Sequence, residues 1–526
     1  MPQGHDQTQA GGETIVPSLT QLAAQHLEKI RTCNLRFEVR DKAVLCLLDY
    51  FGALVSGLSA PWARSLLGYA QVSSDNGGTH SYGSPTSTKS GVSVIGLGTQ
   101  CSAEVAAFTN ASIAHSIIRD DMHLAAGAHI GVMVIPAALA LAQRDHWSGE
   151  QLLKAIVGGY EMAVALGSTV RHSGTCNPHF RPSGILGAFA AAASGIVADR
   201  TMTSTQAAHA LGLAANMAAG LNEWPWAGGV EITTQMGSAA RAGITSYDLA
   251  KAGMSSSLSV LEGKDGLFAA YGCGDRDVAA DVFRNWLGDA ASHEDEGTGF
   301  GAGIMGAKFK PVAGCNFIQT PVSVALRMHD SLNLNLNRGT PADCATTTSI
   351  EDVDQVTIVT TSPARSYPGC DYAGPFEKVQ QTKMSLQYGV SAALLFGRVD
   401  EWTYVQFSNE DLRSLLRKCV LEIDIGFDED LYMRGKQPCR IEVRMKNGQV
   451  HRDSMGDVPW LDGTAVEERF RKEAAAAFDR ADVTNREIVG ELVLECRRLE
   501  DAQSTERLLE LLSPGPSIET MQGCQV

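Results

Sequence analysis

The chain has 526 residues, with 43 Lys and Arg against 59 Asp and Glu for a formal charge of −16 at pH 7; 44 % of the residues are hydrophobic and 19 % charged. This length accommodates two or more domains and a sizeable core, and the balance excludes wholesale disorder. An acidic chain without a Lys/Arg-dense run predicts neither nucleic-acid binding nor attachment to an anionic membrane surface.

The longest apolar run, Ile130 to Ala142, contains Pro136 and falls short of the roughly 20 residues that span a bilayer. The first fifteen residues are polar and predict no signal peptide. Twelve cysteines are scattered without a CxxC pair, which predicts free thiols and a cytoplasmic location.

From residue 17 to about 270, alanine-rich segments with helical spacing follow one another: Glu104–Arg119, Gln151–Leu166, Ile185–Ala198, Ser204–Ala218 and Ser238–Ala252. The polar insert Ser73–Gly91 is expected to be an exposed loop. Near Tyr271 the texture changes. Strands are predicted at Val353–Thr361, Cys419–Phe427 and Cys439–Met445, the last joined by Lys446-Asn447-Gly448 to Gln449–Met455 as a tight hairpin. Helices lie between them at Gln319–Asp330 and Gln381–Gly397, and amphipathic helix resumes from Thr464 through Thr505–Leu512. The expected fold is mainly α with α+β. Residues 1–272 and 456–526 form one helical domain, and 273–455 an inserted, smaller α+β lid.

Gly301-Ala-Gly303-Ile-Met-Gly306 matches GxGxxG, yet it does not open a helix after a strand, so it reads as a loop. GxxxxGK[ST], HExxH and GxSxG are absent, leaving phosphoryl transfer, zinc proteolysis and α/β-hydrolase chemistry without a foothold. No ligand spacing implies a metal or an organic cofactor.

One segment concentrates chemistry: Arg119-Asp120-Asp121-Met122-His123, then Gly127-Ala-His129. Imidazoles titrate near neutrality and carboxylates orient them, so Asp120, Asp121, His123 and His129 form a candidate proton-transfer set. Six residues of α-helix would leave the two histidines about 120° apart. They converge only if a loop replaces the helix here, as the Gly127 region suggests.

This loop, followed by Gly131-x-x-x-x-Pro136-Ala-Ala-Leu-Ala-Leu-Ala, resembles the signature of the MmgE/PrpD family, which includes 2-methylcitrate dehydratases, cis-aconitate decarboxylases and an iminodisuccinate epimerase. The likeness continues through Gly158-Gly-Tyr-Glu161, Arg181-Pro-Ser-Gly184, Ala210-Leu-Gly-Leu-Ala and Gly237-Ser-Ala-Ala-Arg-Ala-Gly243. It extends to Leu261-Glu-Gly263, Lys310-Pro…Cys315 and Met384-Ser-Leu-Gln-Tyr-Gly-Val. The resemblance implies a helical domain with an α+β lid, a small carboxylic-acid substrate and a homodimer.

It departs from the family at the chemistry. Arg181 stands where the family usually carries a histidine, Ile232 near its lysine, Met236 at a second histidine, Val312 near its tyrosine and Gln319 at a later histidine. Arginine cannot act as a base but can grip a carboxylate. The expected substrate contacts are therefore Arg181, Lys310, His179, Gln319 and Met236, with His179 or His172 as possible replacement bases. Fewer cationic anchors suit a substrate less charged than a tricarboxylate. The expected activity is a cofactor-independent lyase, a dehydratase or decarboxylase. The alternatives are an isomerase, epimerase or cyclase on a more apolar natural-product intermediate, and an inactive binding paralogue.

Overall fold

The computed structural model describes residues 16–75, 91–96, 100–172, 177–272, 274–292, 300–332, 350–479 and 485–512. Most of the expected Ser73–Gly91 insert lies outside them; the helix Ala63–Asp75 takes its first three residues.

The alanine-rich segments fold as helices with local start signals. Ser18 and Thr203 each build a capping box, Ser102 caps Ala103–Ala114, and Pro182 opens Pro182–Ala198, where its fixed φ and missing N–H are harmless. Glycine lets these helices approach closely: a Cβ on Gly187 would stand 2.3 Å from Met133 Sδ, and one on Gly243 2.3 Å from Ala191 Cβ. The run Ile130–Ala142 is wholly buried, with Ile130 as the N-cap and the rest inside helix Gly131–Asp145.

Two hydrophobic cores result. The first gathers residues from Leu19 to Phe309 and then Val466 to Leu512, so both ends of the chain share it. The helix Arg276–Ser292 belongs to this core through Ala279, Ala280, Phe283 and Leu287. The second core is built from Cys315 to Met445, and Ile118, Trp224 and Ile232 reach into it from the helical side. The site described below lies where these three residues cross.

The second unit carries a four-stranded sheet in the order Cys419–Ile423, Val353–Thr360, Cys439–Met445, Val450–Met455. The first pair is parallel and the others antiparallel. Two expectations shift. The strand predicted to reach Phe427 stops at Ile423, because Asp424 accepts a hydrogen bond from the Gly426 N–H and caps helix Ile425–Arg434. The helix predicted over 381–397 is two helices, Val379–Met384 and Leu386–Phe396, divided at Ser385, whose hydroxyl caps the second. The hairpin closes over the expected connection Lys446-Asn447-Gly448. Gly448 N–H bonds to Met445 O, Met445 N–H to Gln449 O, and Gly448 takes φ +89°. No described helix is long and apolar enough to cross a membrane.

Candidate functional site

The helix predicted to run to Arg119 stops at Ala114 and tightens into the 3₁₀ turn His115–Ile117. Ile118 then adopts φ 55°, a left-handed conformation that a β-branched side chain enters only under strain. Its carbonyl accepts hydrogen bonds from Lys310 Nζ at 2.7 Å and Gly314 N at 3.2 Å. This reversal turns Asp120 back toward His115. Beyond it, Met122–His123 pairs with Ala307–Lys308, and the loop through Gly127 delivers His129 to the same place.

The centre is a chain of hydrogen bonds. Arg181 Nη2 lies 2.7 Å from His115 Nε2, and His115 Nδ1 lies 2.8 Å from Asp120 Oδ1. A guanidinium only donates, so His115 Nε2 accepts and its Nδ1–H points at Asp120. His129 Nδ1 sits 3.0 Å from Asp120 Oδ2 and 3.0 Å from the Asp121 carbonyl, which places the proton on Nδ1 and leaves Nε2 unprotonated. The two imidazoles meet edge to face at 5.1 Å. His129 alone keeps measurable contact with solvent, at 12 % of its side chain against 0 % for His115 and 1 % for Asp120.

Burial sets the protonation states. It pushes His115 down to about 3, against the pull of Asp120, so the ring is neutral. It lowers His129 as well, helped by Lys310 and opposed by Asp120. Burial alone would raise Asp120, but the two imidazoles and their hydrogen bonds outweigh it and hold the carboxylate ionised. Lys310 is wholly buried and lowered by desolvation; its Nζ bonds to the Ile118 and Gly314 carbonyls. Arg181 also bonds to the Ile232 carbonyl at 3.1 Å and lies over the Trp224 ring. Two buried cations thus face one carboxylate.

Of the expected site residues, Asp120, His129, Arg181 and Lys310 come together. The others do not join them. Asp121 accepts from Gly131 N–H at 2.9 Å and Tyr160 OH at 2.7 Å, at the start of the helix Gly131–Asp145. Burial and the charge on Asp49 push it up to about 7. His123 has both ring nitrogens engaged by the backbone, Nε2 with Gly303 O and Nδ1 with Ala126 N–H, and burial lowers it to about 4. Gln319 staples the neighbouring turn, accepting from Val312 N–H and donating to Cys315 O. Met236 is buried in the first core. His179 is exposed, with its backbone rather than its ring engaged, and the exposed His172 bonds Ser168 O in its own helix.

Two features were missed. His115 lies within a segment read simply as helix, five residues before Asp120, and that spacing was its only signal. Cys315 and Cys370, 55 residues apart, bring their sulfurs to 3.7 Å inside the second core. A hydrogen bond from Cys370, beside the charges of Lys310 and Arg181, lowers the Cys315 thiol.

His115, Asp120 and His129 hold ligand-type atoms within 4.8 Å of one another, the arrangement a metal ion could use. Here Arg181 occupies His115 Nε2 and both imidazole Nδ1 atoms face oxygen, with Lys310 adding a second positive charge nearby. The donor set fits a hydrogen-bonded relay better than a cation.

The MmgE/PrpD N-terminal domain model matches residues 21–278 and the C-terminal domain model residues 313–491. A cis-aconitate decarboxylase-like protein of Aspergillus oryzae, oryM, is 23 % identical over 478 residues, covering 86 % of this chain and 89 % of that protein. With both domain models matched in order across most of its length, the chain belongs to the MmgE/PrpD family.

Proposed function

We propose that this chain is a lyase that moves a proton next to a carboxylate or carbonyl of a small carboxylic acid, as a dehydratase or a decarboxylase. The observation that carries this reading is the buried group of two cations, one carboxylate and two unprotonated imidazole nitrogens, of which Arg181 occupies His115 Nε2 and leaves His129 Nε2 to act as base. The net positive charge accepts a substrate carboxylate, and burial strengthens that attraction. The distant relative named as cis-aconitate decarboxylase-like supports the same class of chemistry.

In the dehydratase direction His129 Nε2 takes the proton from the carbon beside the carboxylate. Arg181 and Lys310 offset the negative charge that gathers on the carboxylate oxygens. The C–H electron pair becomes the double bond and the β-hydroxyl leaves with its C–O pair. The imidazolium then supplies the proton that makes it water. In the decarboxylase direction the ring must first take a proton from solvent at Nε2, and that proton goes to the carbon pair left when carbon dioxide departs. The Asp121 carbonyl holds the ring by Nδ1, and Asp120, 3.0 Å from the same nitrogen, stabilises its charged form.

The test is a panel of 2-hydroxy and unsaturated di- and tricarboxylates, with and without alkyl substituents, incubated with the protein in deuterium oxide. The expected result is release of water or carbon dioxide, abolished in His129→Gln. Deuterium in recovered substrate without either release would point instead to an isomerase. Undiminished turnover by His129→Gln would overturn the assignment.

A further inference from the structure

A cavity of about 540 Å³ opens between the two cores, and neither imidazole lines it. Val170, Phe180, Ile185 and Leu186 form its helical wall, and Pro363 and Tyr432 stand opposite. That volume and a mostly apolar lining are usual for small-molecule sites. The charged exception is Arg171, in the last turn of helix Gly149–His172. Gly127 makes room for it: φ there is +63°, and a Cβ would come 2.8 Å from Arg171 Nη1. Among the described residues no hydrogen bond or ion pair engages the Arg171 guanidinium.

His115, Asp120, His129 and Lys310 do not line this cavity. The backbone of residues 180–182 forms the partition. Phe180 and Pro182 face the cavity, while the Arg181 side chain reaches His115 on the other side. Phe180 is braced by Tyr271, edge to face at 4.8 Å, and Tyr271 OH donates to Ala218 O.

We propose that this cavity is a second binding site, for an amphiphilic carboxylate whose alkyl chain fills the apolar slot and whose head rests on Arg171. A guanidinium that no described residue engages, beside an apolar wall, matches both ends of such a ligand. Each methylene withdrawn from water strengthens binding about fourfold, and the planar guanidinium pairs with a carboxylate through two parallel hydrogen bonds. Since the ligand bears on Phe180 and Pro182, its occupancy acts on the segment that aims Arg181.

Calorimetric titration of the intact protein with butanoate, hexanoate, octanoate and decanoate tests this. Affinity is expected to climb about fourfold per methylene. Arg171→Gln should weaken every acid about tenfold or more, and Leu186→Trp, by filling the slot, should flatten the chain-length dependence. Gly127→Ala, whose Cβ would displace the guanidinium while leaving Arg171 in place, provides a second route to the same loss. The proposal is overturned if the wild type shows no chain-length dependence. It is equally overturned if octanoate binding survives Arg171→Gln and Leu186→Trp but disappears in Arg181→Gln, which would place the acid in the relay site.

Discussion

Asp120→Asn changes charge and hydrogen-bond direction while keeping shape. The Asn oxygen can still accept from His115 Nδ1, now 2.8 Å from Asp120 Oδ1. The new amide N–H₂ then faces His129 Nδ1 at the 3.0 Å now spanned to Oδ2. Two donors cannot share that contact: the His129 Nδ1–H keeps the Asp121 carbonyl, 3.0 Å away, and the ring loses the carboxylate that balances its charged form. Nε2 keeps its lone pair but becomes a weaker base, with no anion to stabilise the imidazolium it must form, and turnover should fall by up to the worth of a general base, about 10²–10⁴-fold. Binding should move the other way. Removing one negative charge from a site that holds Arg181 and Lys310 leaves a carboxylate ligand bound at least as tightly. Folding should suffer, because Arg181 is buried and loses the charge that balances it through His115. Breaking a buried pair costs about 3–5 kcal/mol, here toward the lower end since Arg181 keeps the Ile232 carbonyl. The assay is kcat and KM measured separately on the substrate found by the panel, with urea unfolding on the same preparation. A variant that folds and binds yet keeps more than a tenth of wild-type kcat would refute the dependence of His129 on Asp120.

Other substitutions separate structural from chemical roles. His123→Ala should cost about 2–4 kcal/mol in urea unfolding while leaving kcat near wild type, because it strands the buried Ala126 N–H and Gly303 carbonyl that the ring now serves. Lys310→Met should raise KM for a carboxylate about tenfold or more and lower stability by about 1–3 kcal/mol, since the Ile118 and Gly314 carbonyls lose their shared donor. Burial raises Glu161 from 4.5 to about 7, so folding favours its protonated form. Its contribution is whole below pH 4.5 and is lost as pH rises through 7. Glu161→Gln should remove that slope and gain up to about 3 kcal/mol over wild type at pH 8, read from unfolding at several pH values.

The carboxylate–histidine loop was legible because charged and titratable residues are dense there in an otherwise alanine-rich stretch, and the glycine between them marked a loop. Its internal assignments were not legible. His123 and His129 look alike in sequence, yet the ring of His123 is claimed by Gly303, 180 residues away, a pairing that no local pattern announces. His115 was hidden by the opposite effect: helical spacing continues smoothly past it, and the break comes from Ile118, a residue type that gives no sign of a left-handed turn. The strand ending at Ile423 was overrun because Asp424 reads as one more polar strand position until it is seen as a helix cap. Arg181 owed its selection to the family likeness. Its partnership with His115 depends on two helices meeting 66 residues apart.

That partnership also bears on which reaction the site supports. With Arg181 donating to Nε2, His115 cannot accept a substrate proton until the bond breaks, and burial already holds the ring to about 3. Lys310 has its ammonium bonded to two carbonyls, and the Cys315 sulfur lies against Cys370. Among the described residues of the relay this leaves one free base, His129, on one face of the bound substrate. An epimerase that inverts a carbon with two bases needs a second on the opposite face. A lyase needs one. The proposed site should therefore add or remove its proton from a single face. A decarboxylation or reverse hydration run in deuterium oxide should place deuterium in one stereochemical position, read by NMR of the product. An equal mixture of the two positions would mean that a second base, or water itself, reaches the carbon, and the one-base reading would fail.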